Sequence, residues 1–363
     1  MAMGNSSSER GAPRTSGIPQ QAMLLAAGYG ERMRPLTADR AKPSLPLLNR
    51  PLILHALDQL ARHGVRRVVV NLHHQPESLR RILEAATPAG MSIAYSEEAS
   101  ILGTAGGIRA ALPLLDSESP LLVMNADSLS SADLGALAAA HAAARASFAA
   151  AATLAVRPRS SDDAYSSVYL DDLSRLCGIG EIGEKGESTT FIGAHILEPE
   201  AISRIPREGI SDIVRDVYLP ILGEGGRLGA WRNTGWWVEI GTPLLYLKAH
   251  LTLLEEPSFL ATLPAAAGTL RGGDTASFVG PGCEGLPRAR LERSSLGAAC
   301  WLGGDAVVRG SVLGARARVG RQAHIEDSIV WEGVEIPGGH AVHGSLVLPP
   351  APGTDAIRNL PLR

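Results

Sequence analysis

The chain has 363 residues, enough for about two domains, and its 45% hydrophobic and 20% charged residues give the balance of a water-soluble globular protein. A formal net charge of −3 offers no electrostatic footprint for nucleic acid, and aromatics at 4% mean that any core is packed mainly from Leu, Val, Ile and Ala. The three cysteines, Cys177, Cys283 and Cys300, have no C-x-x-C spacing. Neither a disulfide framework nor a zinc site is expected, as suits a reducing cytoplasm.

Residues 1–20 are polar and lack the apolar stretch of a secretory signal, and the glycine of "MGNSSS" is Gly4 rather than the second residue, so a disordered, unlipidated tail is expected. "QAMLLAA" then reads as a buried strand and "PLILHALDQLARHG" as a helix, with Pro51 at its start and Gly64 at its end. "RRVVVNL" is a second strand, "PESLRRILEAA" a second helix, "MSIAYSE" a third strand, "TAGGIRAAL" a helix and "PLLVMNAD" a fourth strand. This alternation predicts a mainly parallel, Rossmann-like α/β sheet covered on both faces, with ligands beyond the carboxyl ends of its strands. His141 and Arg145 interrupt the Ala-rich run after Leu134, which therefore reads as a helix leading into a strand rather than a membrane span. From Ala164 to Gly193 the pattern weakens around a Gly/Glu-rich loop; "TFIGAHIL" resumes as a strand, and "WWVEIGTPLLYLKAHLTLL" as a strand turning into a helix.

A Pro/Ala/Gly-rich passage, 257–273, reads as a linker between a first domain at 21–256 and a second at 274–350, with a tail at 351–363. In the second domain apolar residues recur about every six positions: Leu296, Leu302, Val308, then Val319 and Ile325, later Ile336, Val342 and Leu348, with the phase slipping near Leu313 and near Val330. That period is neither helical nor strand-like. It predicts a hexapeptide parallel β-helix, a small β-sandwich being the alternative.

The stretch "LLAAGYGERMRPLTADRAKPSLPL" carries the chemistry. Glycines let backbone N–H groups converge on an anion, and Arg32, Arg34 and Lys42 supply the cations. An ATPase phosphate loop would need Gly-Lys-Ser/Thr after Gly28, which is missing; a dinucleotide loop would need a third glycine where Met33 stands and a carboxylate near Asn49. The stretch instead resembles the signature of sugar-1-phosphate nucleotidyltransferases, A-A-G-x-G-x-R, P-L-T and P-K-P in order, with Ala41 in place of the first proline. "LGTAGGI" resembles that family's second glycine loop, "LLVMNADSL" its N-G-D strand end with Ala126 for glycine, and "WVEIGTP" its W-x-D-I-G-T-P, together covering Gln21 to Leu254. "TFIGAHILEPE" is similar in texture to the branch of mannose-1-phosphate guanylyltransferases and N-acetylmuramate-1-phosphate uridylyltransferases. Many members also carry a C-terminal left-handed β-helix, which fits the repeats.

The resemblance implies transfer of a nucleotidyl group from an NTP to a sugar-1-phosphate, with release of pyrophosphate. It implies a nucleotide site at Leu25, Ala26, Ala27, Gly28, Gly30, Glu31, Arg32, Gly103, Thr104, Ala105 and Gly106, and sugar-phosphate contacts at Lys42, Gly193 and Glu239. Arg32, Lys42 and Asp127 would be catalytic, and Asp127 and Glu239 would hold Mg²⁺. Glu239 stands where the family usually has Asp, and "GEK" at 183–185 is a poor match to the family's E-K-P. The base and the sugar are not legible, with guanylyl transfer to mannose-1-phosphate favoured over uridylyl or thymidylyl transfer. Rival expectations are a non-catalytic regulatory subunit, suggested by Glu239, and a β-helix that also transfers an acyl group through His324, His340 or His343. Self-association through the β-helix, a cytoplasmic location and no nucleic-acid or membrane partner complete the expectation. The pair His73–His74, on a strand's opposite faces, predicts a loop beside the sheet edge rather than a metal site.

Overall fold

The computed structural model describes residues 17–161, 163–180, 186–272, 275–351, 354 and 356–362. The first alternation folds as its pattern dictates: β1 Gln21–Leu25, α1 Leu52–Arg62, β2 Arg67–Leu72, α2 Pro76–Ala86, β3 Ser92–Glu97, α3 Gly103–Ala111 and β4 Leu121–Asn125. β1 lies between β2 and β4, parallel to both, and β3 extends the parallel set beyond β2. Met23 and Leu24, each fully buried, point to opposite faces and join two separate core clusters, one under α1 and α2 and the other under α3. Burial on both faces is why this strand is a continuous apolar run.

The strands β1 and β4 stop at Leu25 and Asn125, two residues short of the predicted "QAMLLAA" and "PLLVMNAD" ends. Each strand runs directly into a loop of the candidate site. The rest of the first domain adds β5 Ser128–Ser130, α4 Leu134–Phe148, β6 Ala152–Pro158, β7 Ser167–Leu170, β8 Leu176–Ile179, β9 Glu187–Leu197, β10 Leu228–Arg232, which runs parallel to β6, and β11 Trp237–Glu239. The eleven-residue β9 runs antiparallel to β4, to β6 and to β7, tying the two halves together. Its pairing with β6 shifts register between Phe191 and His195, a bulge centred on Gly193. The short pair β5–β11 aligns Ser128 with Glu239 beyond the carboxyl end of β4. Helix α5, Pro243–Leu254, is capped by the Thr242 hydroxyl, which accepts from Leu245 N–H.

The second domain is a three-faced prism of short parallel strands in sheets of seven, four and three strands. Leu296, Leu313, Val330 and Val347 stack in one column, Leu302, Val319 and Ile336 in the next, and Val308, Ile325 and Val342 in the third, all inside. The repeat is 17 residues per coil, so one of its three steps is five residues rather than six. That explains the slips near Leu313 and Val330. It also corrects the expectation for Leu348: a third short step puts Val347 inside the prism and turns Leu348 toward the first domain. A ladder invisible to hydropathy keeps the same repeat. Ser277, Ser294, Ser311 and Ser328 are buried, and each hydroxyl accepts from the backbone N–H of the serine one coil on, at 3.1–3.2 Å.

The passage 257–273 contains a short helix, Pro257–Leu260, and the strand Thr269–Arg271, which pairs antiparallel with Ser277–Val279 and covers one end of the seven-stranded face. Arg358–Pro361 covers the other end, antiparallel to Ser345–Leu348. A shared core joins the domains: Met33, Leu36, Leu45, Leu47 and Leu48 of the signature loop pack with Tyr246 and Leu253 of α5 and with Phe278, Val312, Ile329 and Leu346 of the prism. No helix among the described residues is long and apolar enough to cross a membrane.

Candidate active site

The sheet delivers its loops to one edge. After β1, Ala26 and Ala27 are buried, Gly28 and Tyr29 are exposed, and Gly30 adopts φ 61°. A side chain at Gly30 would meet Lys42 Cβ and Thr37 Cγ2 at 3.2 Å, so the turn brings the glycine loop directly against the lysine. The Thr37 hydroxyl donates to the Gly30 carbonyl at 2.8 Å and closes this loop on itself. Leu25 is half-buried, whereas Glu31 and Arg32 project into solvent.

Lys42 is a buried cation, 7% exposed, and its Nζ donates to Asp127 Oδ2 at 2.8 Å. Asp127 comes just after β4, and its carbonyl accepts from Ile240 N–H at the end of β11. Glu239, the last residue of β11, lies 3.7 Å from the Arg32 guanidinium. Two cations from one loop thus face two carboxylates from two strands. Gly241 leaves the Glu239 carboxylate its present place, since a Cβ there would come 2.4 Å from Oε1 and push it aside. Gly193, at φ 84°, sits on the bulge with its α-carbon against the Asn125 amide, two residues from Asp127.

The second glycine loop opens α3. A Cβ at Gly103 would lie 2.4 Å from the Ser211 carbonyl, which accepts from Ala105 N–H and Gly106 N–H at 3.0 and 3.2 Å. Ala105 and Gly106 are therefore buried and their donors are used within the chain, leaving Gly103 and Thr104 nearer the surface. The Thr104 hydroxyl donates to Asp212 and accepts from Ile213 N–H.

Sequence reasoning missed three residues here. Asn71, at the end of β2, accepts from Ala26 N–H through Oδ1 at 2.7 Å and donates to Glu98 Oε1 at 2.7 Å. The other oxygen of Glu98 accepts from Leu102 N–H at 2.9 Å. One buried amide and one buried carboxylate thereby tie the two glycine loops together; a Cβ at Gly107 would strike both. Their only sequence signal is polar residues at the end of an apolar strand and of its neighbour. The third is Tyr165. Burial, its hydrogen bond to Glu239 and the charges of Glu239 and Asp127 push its phenol up. Its ring meets Trp237 edge-on, and the Arg157 guanidinium stacks over the same indole at 4.8 Å.

The histidine pair lies beside the sheet edge and braces the glycine loop. His73 Nδ1–H donates to the Glu98 carbonyl, leaving Nε2 to accept from the Tyr29 hydroxyl at 3.1 Å. His74 Nε2 donates to the Thr37 carbonyl.

Asp127 and Glu239 can act as a pair of oxygen ligands, the one or two carboxylates that Mg²⁺ takes beside substrate phosphates. Among the described residues no cluster of three or more His, Cys, Asp or Glu forms a metal cage. An ion held by two carboxylates keeps open positions for waters and phosphate oxygens, which suits a nucleotide-dependent site. The segment 183–185 lies outside the described residues.

The model of the nucleotidyl transferase family matches residues 21–256. Over 353 residues the chain is 30% identical to the probable mannose-1-phosphate guanylyltransferase 1 of Oryza sativa subsp. japonica, covering 91% of this chain and 96% of that one. It is 27% identical over 320 residues to the mannose-1-phosphate guanylyltransferase of Mycobacterium tuberculosis, covering 88% and 81%. Mannose-1-phosphate guanylyltransferase 1 of Arabidopsis thaliana is 28% identical, with 91% and 96% covered. With both glycine loops, Lys42 and Asp127 gathered at the carboxyl edge of a parallel sheet and a family match over most of its length, this chain belongs to the nucleotidyl transferase family.

Proposed function

We propose that the protein transfers the guanylyl group of GTP to mannose-1-phosphate, giving GDP-mannose and pyrophosphate. The observation that carries this reading is the contact of Lys42, from the signature loop, with Asp127 at the carboxyl end of β4, in a chain whose relatives are named for that reaction. The sugar phosphate oxygen attacks the α-phosphorus in line and the α–β phosphoanhydride bond breaks, with the electron pair leaving on pyrophosphate. A phosphate nucleophile is already anionic, so the site needs no general base. Its task is to hold two repelling polyanions together and to stabilise the charge that shifts between them.

Lys42 fits the α-phosphate and the incoming sugar phosphate, and because it is buried its charge acts through a poorly screening medium. Arg32, with its side chain 69% exposed, can swing from Glu239 onto the phosphates that leave. Backbone N–H groups from Ala27 to Gly30 would cradle the triphosphate. Asp127 and Glu239 would hold Mg²⁺, which supplies positive charge between the phosphates of the two substrates. A nucleotide phosphate that draws Arg32 away would free Glu239 for the metal, while Lys42 engages only Oδ2 of Asp127 and leaves its other oxygen available. Gly193, packed tightly on Asn125 at the bulge, would present its backbone to the sugar phosphate.

Pyrophosphate release measured for each NTP against a panel of sugar-1-phosphates tests this. Turnover with GTP and mannose-1-phosphate, lost in Lys42→Ala and Asp127→Ala, is expected. Turnover with a different pair reassigns the substrates. Binding of nucleotide or GDP-mannose with no turnover for any pair favours a non-catalytic regulatory subunit, for which Glu239 is the specific argument.

A further inference from the structure

We propose that Arg40 is a positioning residue through which the β-helix holds Lys42 in register with Asp127; this rests on the nucleotidyl-transfer reading above. Arg40 lies in the signature loop, two residues before Lys42. Its guanidinium donates from Nη1 and Nη2 to the two carboxylate oxygens of Glu332, at 2.9 and 3.2 Å, and lies 5.4 Å from the Trp331 ring. Its Nε donates to Asp39 at 3.2 Å. Both members of the fork are largely covered, with side chains 24% and 22% exposed.

The prism departs from its own repeat to make this contact. The equivalent place in the preceding coils is Gly280, Gly297 and Gly314, where a Cβ would lie 2.3–2.7 Å from the nearest backbone atom of the next coil. The next coil has Trp331 there instead, and its side chain packs against both the prism core and the core shared with the signature loop. The glycine series ends at Trp331, where Trp331 and Glu332 meet Arg40, and Leu348 holds the same place one coil on.

The loop is held from two sides around Lys42 and closes on itself beside it. Arg40 is fixed by the prism. Ala41 N–H donates to the Ser78 hydroxyl of α2 at 3.0 Å, and the Ser44 hydroxyl returns to the Ala41 carbonyl at 2.6 Å. Lys42 then reaches Asp127 from a backbone that is already constrained. Desolvation of a largely covered ion pair offsets much of its Coulomb attraction, so the pair by itself is a poor source of folding energy. A planar two-point fork does fix direction, which a lysine at the same place would not. Direction matters because a misplacement of about 1 Å can cost on the order of 10²-fold in rate.

The test compares Arg40→Met, Arg40→Lys, Glu332→Gln and the exchanged pair Arg40→Glu with Glu332→Arg, all in the full chain. Each is read by steady-state pyrophosphate release and by amide hydrogen exchange across residues 37–45. In Arg40→Met, kcat is expected to fall about tenfold while the KM for GTP moves less than about threefold. Stranding the largely covered Glu332 should lower the melting temperature by a few degrees, but exchange across 37–45 should quicken beyond that of the rest of the chain, Arg40→Lys should fall between, and the exchanged pair should regain activity. Unchanged exchange and kcat in Arg40→Met would overturn the proposal, as would losses that simply track the melting temperature. If the unaltered protein turns over no substrate pair, the functional reading fails, and the exchange of 37–45 still decides whether Arg40 holds the loop.

Discussion

The Lys42–Asp127 pair is asymmetric, and its asymmetry predicts opposite profiles for two substitutions. Lys42 has a side chain 9% exposed, whereas that of Asp127 is 44% exposed. In Asp127→Asn the lysine loses its counter-charge while staying covered. Stranding one member of a fully buried pair costs about 3–5 kcal/mol. Asp127 is half open to water, which can replace it, so about 1–2 kcal/mol is expected here. That corresponds to a melting temperature lowered by roughly 2–8 °C. In Lys42→Met the stranded group is instead the exposed carboxylate, which water resolvates, and the apolar stem keeps its packing; a change within about 0.5 kcal/mol is expected. Rate behaves differently. Losing a preorganised donor aimed at developing phosphate charge costs about 10²–10³ in kcat, so Lys42→Met should be nearly as stable as the unaltered protein and nearly inactive. Thermal melts and initial rates of GDP-mannose synthesis on the same preparations check both. If Lys42→Met unfolds more readily than Asp127→Asn, or keeps its rate within about threefold, the reasoning about which partner is buried and which is catalytic is wrong.

At Gly193 a Cβ would sit 2.7 Å from the Asn125 amide at a φ of 84°. Gly193→Ala should cost about 2–3 kcal/mol in urea denaturation and raise the KM for the sugar phosphate; an unchanged KM would separate the bulge from the substrate. Glu239→Asp shortens the carboxylate that meets Arg32 and Tyr165. It should change the metal concentration for half-maximal rate while leaving the melting temperature within about 2 °C. Ser311→Ala removes the acceptor of a buried Ser328 N–H and should cost about 1–3 kcal/mol, whereas Ser345→Ala, at the open end of the ladder, should cost far less in the same assay. Asp133 caps α4, and the backbone N–H groups of Ala136 and Gly135 hold its carboxyl below its ordinary value, aided by His63. A depressed folded pKa stabilises above the unfolded value of about 3.9, so Asp133→Ala should cost about 1 kcal/mol at neutral pH. That difference should fade as pH falls through the folded pKa, which unfolding at stepped pH measures.

Local rules carried the reading a long way where elements are short-range. The alternation of β1 to β4 with α1 to α3 is written in runs such as "RRVVVNL" and "PESLRRILEAA", because a doubly covered parallel strand must be apolar throughout and a surface helix must be amphipathic. The glycine loop, Lys42 and Asp127 stand out because they interrupt or end apolar strands with the residue types that phosphate binding needs. The prism was legible as a six-residue rhythm, but Leu348 shows its limit: hydropathy cannot tell which of two adjacent apolar residues, Val347 or Leu348, faces the axis when either is buried by something.

The parallel sheet, the phosphate-loop signature and the existence of a coiled repeat are therefore local in origin, each readable from a short run of residues. The joins between distant parts needed the folded chain: Asn71 and Glu98 linking the glycine loops, Tyr165 on Glu239, Gly193 against Asn125, and Arg40 on Glu332 of the prism. Each is a contact across a long stretch of chain, between residues that individually look like any other on a loop or a strand end. Periodicity reports which side of an element is buried, and it carries no information about which partner waits on that side.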